Sequence, residues 1–260
     1  MTVVLGASDT GKTSLVTRLA GELARQGFRV GVVDADLGQS EIGPPTTIGL
    51  GRVDGPLPRL AAAHLEALYF VGATSAAYEL RATALGAGAM VARARAAGLD
   101  RVLVDTSGLI ASGLGRALKE AKIRAIDPDL LICLQRATEC EHILARYADA
   151  ARPEILRLPA LAPGRRRSAE ERRRHRHVAL AAYFAGARRV EIDLARVATR
   201  RDATRPRDGT LVGLLDGTGE TLGIGRIAGV DGPGRRLTVE TPVAADAIAR
   251  VIVGRETYSG

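Results

Sequence analysis

Eight residues near the start of the chain, Gly6-Ala7-Ser8-Asp9-Thr10-Gly11-Lys12-Thr13, have the types and spacing to hold a nucleoside triphosphate. They satisfy G-x-x-x-x-G-K-[ST], with an apolar segment before and an amphipathic one after. Glycines let backbone N–H groups turn inward around phosphate oxygens, and the following helix adds the positive end of its dipole. Lys12 would reach the β- and γ-phosphates, and the Thr13 hydroxyl would ligate magnesium. Gly6, Ser8, Asp9, Thr10, Gly11, Lys12, Thr13 and Ser14 are therefore the expected cofactor contacts, with ATP and Mg2+ as cofactors. A glycine-rich turn without a ligand is the plainer reading, and the complete motif in its context argues against it.

Two further groups carry carboxylates suited to the same chemistry. Arg101-Val102-Leu103-Val104-Asp105 reads as a buried strand ending in an acid, so Asp105 is expected on the metal side, with Thr106 next to it. A cap on the turn after the strand is its structural alternative. Asp34-Ala35-Asp36-Leu37-Gly38-Gln39 places two carboxylates two residues apart after another apolar strand, where alternate side chains can face one site. One can organise magnesium while the other accepts a proton from an attacking hydroxyl. Last comes the densest positive charge, Gly164 to Arg176, read as GRRRSAEERRRHR. Ser168 with Glu171 forms a capping-box pattern, so a helix starts there. Its arginines can form a lid that neutralises phosphate charge and excludes water, or simply a solvated helix face with Glu-to-Arg pairs.

These groups need a frame. Apolar runs at 2–5, 29–33, 67–71, 101–104 and 130–134 are continuous rather than alternating, as in a sheet covered on both faces. Helical spacing over 12–26, 76–97, 113–125, 139–149 and 169–185 supplies the cover. The fold class is therefore α/β, a P-loop NTPase with a mostly parallel sheet covered by helices. After about residue 204 short strand-like segments alternate with Asp208-Gly209, Asp216-Gly217 and Asp231-Gly232, which predicts a small C-terminal antiparallel β unit. The expected division is a kinase-type domain over 1–203, with its lid at about 164–184, and a β domain over 204–260.

Bulk properties narrow the function classes. No apolar run approaches the roughly 18 residues of a membrane span. The N-terminus has neither a basic leader nor a cleavage site, from which a cytoplasmic protein without membrane partners is expected. Cys133 reads as core, Cys140 is unassigned, and the four histidines have no ligand spacing. A net charge of +8 favours a polyanionic partner.

In combination, GASDTGKTS, VVDADLGQSEIGPP, LYFVGATS, VLVDTSGLI, LLICLQ, RRRSAEERRRHR and AAYF resemble the polynucleotide 5′-hydroxyl kinases of RNA processing. That family includes the kinase subunit of the eukaryotic pre-mRNA cleavage factor, and the shorter prokaryotic form is the better match. The resemblance implies transfer of the ATP γ-phosphate to RNA 5′-OH ends. It implies Asp36 as the group that activates the hydroxyl, and magnesium held by Thr13 with Asp34 or Asp105. It also implies Gln39, Thr74, Ser75 and Thr106 on the substrate side, and Arg167 and Arg172 with Lys12 as the catalytic cations. Two positions depart from the pattern: Leu109 stands where a tryptophan commonly clasps the substrate, and Ala73 replaces a histidine. The rivals are a partner-regulated ATPase and an RNA-processing scaffold. A GTPase is disfavoured because no Asn-Lys-x-Asp motif follows the strand at 130–134.

Overall fold

Four buried, apolar strands and one more polar edge strand form the parallel heart of the sheet. They are β1 (Thr2–Gly6), β2 (Val30–Ala35), β5 (Arg101–Thr106), β6 (Leu130–Gln135) and β7 (Glu154–Pro159). Their order is β7-β6-β1-β5-β2, every neighbouring pair parallel. The computed structural model describes residues 1–160, 168–193, 195, 197–198, 207–231 and 236–259.

Helices cover both faces. On one side Val16 and Ala20 of α1 (Lys12–Arg25) join a core with Val4, Val30, Val32 and Leu103. On the other, α2 (Leu80–Ala96) and α3 (Ser112–Ile126) bring Met90, Val91, Leu118 and Ile123 against Val3, Leu5, Val33 and Val104. Each such side chain taken fully from water contributes about 1.5–3 kcal/mol, so this double layer dominates the fold's stability. Because β1 lies between β6 and β5 while the chain proceeds to β2, the ends of β1, β2 and β5 open onto a topological switch point.

The rest of the sheet is mostly antiparallel. β3 (Thr47–Val53) pairs with β2, and β4 (His64–Phe70) pairs with β3. The segment expected at 67–71 is thus the end of β4 and has β3 for its neighbour. β3 was hidden in the sequence because two glycines and Arg52 interrupt its apolar run in TIGLGRV. β7 was missed for another reason. Its polar residues face solvent at the sheet edge, so its sequence has no continuous apolar run.

The C-terminal strands are β10 (Thr210–Leu215), β11 (Thr221–Val230), β12 (Arg236–Thr241) and β13 (Arg250–Thr257). They are antiparallel in the order β12-β11-β10-β13, the Greek-key order, flanked by β8 (Arg188–Asp193), antiparallel to β12, and β9 (Val197–Ala198), parallel to β13. Instead of standing apart, this unit continues the main sheet: Thr221 pairs with Leu68, and the Phe70 N–H donates to Thr221 Oγ1 at 3.2 Å. β8 joins it although it precedes residue 204, and the proposed junction at 203/204 lies outside the described residues.

Helix ends follow local chemistry. α5 (Ala169–Phe184) starts at a complete capping box, with Glu171 N–H on Ser168 Oγ at 3.1 Å and Ser168 N–H on Glu171 Oε2 at 2.7 Å. The helix expected at 139–149 is only α4 (Glu141–Leu144), continued by a short 3-10 turn. Glu139 is diverted from it, because its carboxylate accepts the N–H groups of Arg136 and Ala137. Among the described residues no helix is long and apolar enough to cross a membrane.

Candidate active site

The phosphate loop leaves β1 and turns into α1 through Gly11, whose φ of 90° suits a residue without a side chain. Lys12 Nζ folds back and donates to Ala7 O at 2.7 Å, and Thr10 Oγ1 donates to the same carbonyl at 2.9 Å. Burial lowers the pKa of Lys12, while the carboxylates of Asp105, Asp36 and Asp9 oppose that shift.

Asp105 ends β5 beside this loop. Thr13 Oγ1 donates to Asp105 Oδ2 at 2.6 Å, whereas Asp105 Oδ1 is buried with no hydrogen-bond partner. Burial raises the Asp105 pKa to about 6, against the pull of the Thr13 hydrogen bond and the Lys12 charge. A half-satisfied buried carboxylate next to a threonine hydroxyl suits a hard cation with oxygen ligands, so Thr13 and Asp105 fit magnesium.

The two aspartates at the end of β2 divide differently from the expectation. Asp34 does not line the cleft. Its Oδ1 accepts the Asp36 N–H at 3.1 Å, and its Oδ2 accepts those of Glu41 at 2.6 Å and Ile42 at 3.1 Å. It is thus committed to shaping the loop that carries Asp36, and burial, with Asp105 nearby, raises its pKa to about 8. Asp36 faces the cleft, its Oδ1 held by the N–H groups of Gly38 at 3.1 Å and Gln39 at 3.2 Å.

These parts enclose a cleft of about 690 Å³. Ser8, Asp9, Gly11, Lys12, Thr13 and Ser14 line one side, and Asp36, Gly38, Gln39 and Thr74 the other. Thr106, Ser107, Gly108 and Leu109 also line it, and Arg172 and Arg176 of α5 reach over it. Arg172 pairs with Asp9 at 3.5 Å, and Gln39 Nε2 donates to Arg172 O at 3.4 Å, so the helix touches both halves.

Several expected contacts have other places. Gly6 and Thr10 shape the phosphate loop without lining the cleft. Ser75 is also outside it, its hydroxyl accepting the Ala77 N–H at 3.3 Å. Thr106 lines the cleft, but its hydroxyl donates to Val4 O at 2.8 Å and accepts from Lys119 Nζ at 2.9 Å. Arg167 lies outside the described residues.

Three cations are not among the residues singled out from the sequence for the site. Arg176 follows Arg172 by one helical turn, a spacing that already placed both on one face. Lys119 and Lys122 of α3 are 0% and 1% exposed. Lys119 Nζ donates to Ser107 O as well as to Thr106, and Lys122 Nζ donates to Ala35 O at 2.7 Å. Burial lowers both pKa values, that of Lys122 to about 8 despite the opposing charges of Asp36, Asp34 and Asp105. Their signal was present as two lysines inside the apolar stripe of Leu118, Ile123 and Ile126.

Comparison with known proteins matches residues 6–186 to the family model described as mRNA cleavage and polyadenylation factor CLP1 P-loop. A polyribonucleotide 5′-hydroxyl-kinase of Pyrococcus furiosus is 35% identical over 195 residues, covering 75% of this chain and 53% of that protein. Another, from Pyrococcus horikoshii, is 40% identical over 147 residues, covering 56% of this chain and 40% of that protein. The chain therefore spans about half the length of the curated relatives it matches. A solved Clp1p–Pcf11p complex superposes with a TM-score of 0.73 at 14% identity, covering 99% of this chain and 74% of that one, a likeness of fold.

Proposed function

The chain belongs to the mRNA cleavage and polyadenylation factor CLP1 P-loop family, and from that membership and its cleft we propose that it is an ATP-dependent polynucleotide kinase phosphorylating RNA 5′-OH ends. The observation that carries the reading is a single cleft lined by Lys12, Asp36, Thr74, Arg172 and Arg176. A phosphate-binding loop alone serves switches and motors as well. A carboxylate facing it, with arginines above, adds a place for an acceptor hydroxyl.

In this reading Lys12 and the N–H groups of Gly11 to Thr13 bind the phosphates. Asp36 accepts the proton of the RNA 5′-hydroxyl as that oxygen attacks the γ-phosphorus. Arg172 and Arg176, with Arg167 as a further lid residue, neutralise charge on the phosphoryl group and keep water out. Gln39, Thr74 and the lining backbone of Thr106 to Gly108 hold the acceptor end. Thr13 and Asp105 would hold magnesium, which would supply positive charge to offset that of the phosphates. Asp34 serves by shaping the Asp36 loop. With RNA ends as acceptor, the cytoplasm is the proposed place of action.

Transfer of label from γ-labelled ATP to a 5′-OH oligoribonucleotide tests the proposal. Lys12→Ala is expected to abolish transfer, and Asp36→Asn to lower kcat by about 100-fold or more while retaining ATP binding. No transfer by the wild type, or equal transfer by Lys12→Ala, would refute it. ATP hydrolysis without labelled oligonucleotide would favour a partner-regulated ATPase.

A further inference from the structure

The C-terminal β unit reaches a residue of the cleft wall, Thr74, through Glu256. Glu256 on β13 uses a single oxygen, Oε1, to accept both the Thr74 N–H at 2.9 Å and the Thr74 hydroxyl at 2.8 Å. Thr74 lines the cleft next to the Asp36 turn: a Cβ added to Gly38 would lie 2.8 Å from Thr74 O and 3.8 Å from Asp36 Oδ1. The preceding residue of β13 braces the same loop, with Arg255 N–H on Gly72 O at 2.7 Å and the Arg255 side chain on Glu79 at 2.8 Å. The same unit anchors the lid helix. Tyr183 and Phe184 of α5 pack with Phe70, Leu211, Ile224 and Tyr258, and the Tyr183 hydroxyl accepts the Ile224 N–H at 2.9 Å.

An ionised carboxylate only accepts hydrogen bonds, so Thr74 must spend both of its protons on Glu256. Thr74 lines the cleft, and with its proton committed to Glu256 its hydroxyl has only lone pairs left to offer, backed by negative charge. Such a group repels phosphate oxygens and suits a hydroxyl donor.

We propose that Glu256 is a positioning residue for the acceptor: it holds Thr74 as a hydrogen-bond acceptor that reads a sugar hydroxyl of the terminal nucleotide. The C-terminal β unit thereby belongs to the acceptor half of the site. This inference rests on the kinase reading for its substrate, but not for its binding test.

Glu256→Ala and Glu256→Gln are compared with the wild type by steady-state kinetics in both substrates, and by fluorescence anisotropy of a labelled 5′-OH oligoribonucleotide. Glu256→Ala is expected to raise the oligonucleotide KM and Kd about tenfold, as for loss of the one hydrogen bond between the sugar hydroxyl and Thr74. The ATP KM should stay within about twofold, because the phosphate loop makes none of these contacts. Glu256→Gln restores most of the grip, since one carbonyl oxygen can accept both Thr74 bonds. Oligonucleotides ending in a ribose or a 2′-deoxyribose identify the hydroxyl: a larger loss for ribose assigns the 2′-OH, and equal losses assign the 5′-OH. Unchanged oligonucleotide binding in Glu256→Ala overturns the proposal. So does an equal rise of both KM values, or a Glu256→Gln variant as weak as Glu256→Ala. A wild type that binds the oligonucleotide but transfers no phosphate sinks the kinase reading alone, while the anisotropy comparison still decides the role of Glu256.

Discussion

Replacing Lys122 by methionine should stabilise the free protein at neutral pH and destabilise it at high pH. Its ammonium is fully buried on α3, with Ala35 O as its hydrogen-bond partner at 2.7 Å. Burial holds its pKa at about 8 instead of 10.5. At about 1.4 kcal/mol per decade, that depression penalises the charged folded state by about 3 kcal/mol below pH 8. Methionine has similar length and removes the penalty, but leaves Ala35 O without its donor, a loss of about 1–2 kcal/mol. The net gain at pH 7 is then about 1–2 kcal/mol, or a few degrees in Tm for a chain of this size. The sign reverses as pH rises. Between pH 8 and 10.5 the unfolded chain binds more protons at this lysine than the folded one, so wild-type stability climbs through that window. Above it the wild type carries a neutral amine and keeps the hydrogen bond, so Lys122→Met becomes the less stable by about 1–2 kcal/mol. Denaturant unfolding at pH 7 and near pH 10.5 measures both ends. Parallel stability curves, or a variant already less stable at pH 7, would refute the reasoning. Activity should move oppositely to stability at neutral pH, because the ammonium that strains the fold also faces the charges of Asp36, Asp34 and Asp105.

Three further outcomes are expected. Arg176→Ala should lower kcat about tenfold or more, while Arg174→Ala, on the exposed side of α5, should change it less than about twofold; single-variant kinetics distinguish a cleft residue from a solvated one. Tyr183→Phe removes the hydroxyl that accepts the Ile224 N–H and should cost about 1–2 kcal/mol, read as a lower denaturant midpoint with unchanged slope. For Asp105, burial raises the folded pKa from 3.8 to about 6, so its contribution to metal-free stability is present below pH 3.8 and lost as pH rises through 6. Magnesium requires the ionised carboxylate, so affinity for Mg2+, followed by calorimetry in the presence of an ATP analogue, should rise between pH 5 and 7, and Asp105→Asn should flatten that rise.

Much of the donor half of the site was legible in the sequence because it is local. The phosphate loop is eight consecutive residues between a strand and a helix, and its geometry follows from glycine spacing and the helix start. Asp105 was legible for a similar reason, as an acid ending an uninterrupted apolar strand. Likewise, the capping box at Ser168 needs only four residues to specify where α5 begins. Arg172 was singled out only through the family resemblance, and Arg176 shares its helix face by one turn of spacing.

The acceptor half depended on contacts far apart in the chain. Asp34 and Asp36 are equivalent by type and spacing, and only the loop folding back to bring the Glu41 and Ile42 N–H groups onto Asp34 separates a loop anchor from a cleft residue. Lys119 and Lys122 lie in the apolar stripe of α3, but the groups their ammonium ends meet, Thr106 and Ser107 for one and Ala35 for the other, are set by how the layers stack. Glu256 stands 182 residues from the threonine it holds and carries no motif. Short-range order follows from backbone sterics and side-chain type, which the sequence states directly. Which polar groups meet in the interior is decided by how strands pair and layers stack, as when β13 brings Glu256 onto Thr74 behind the cleft wall.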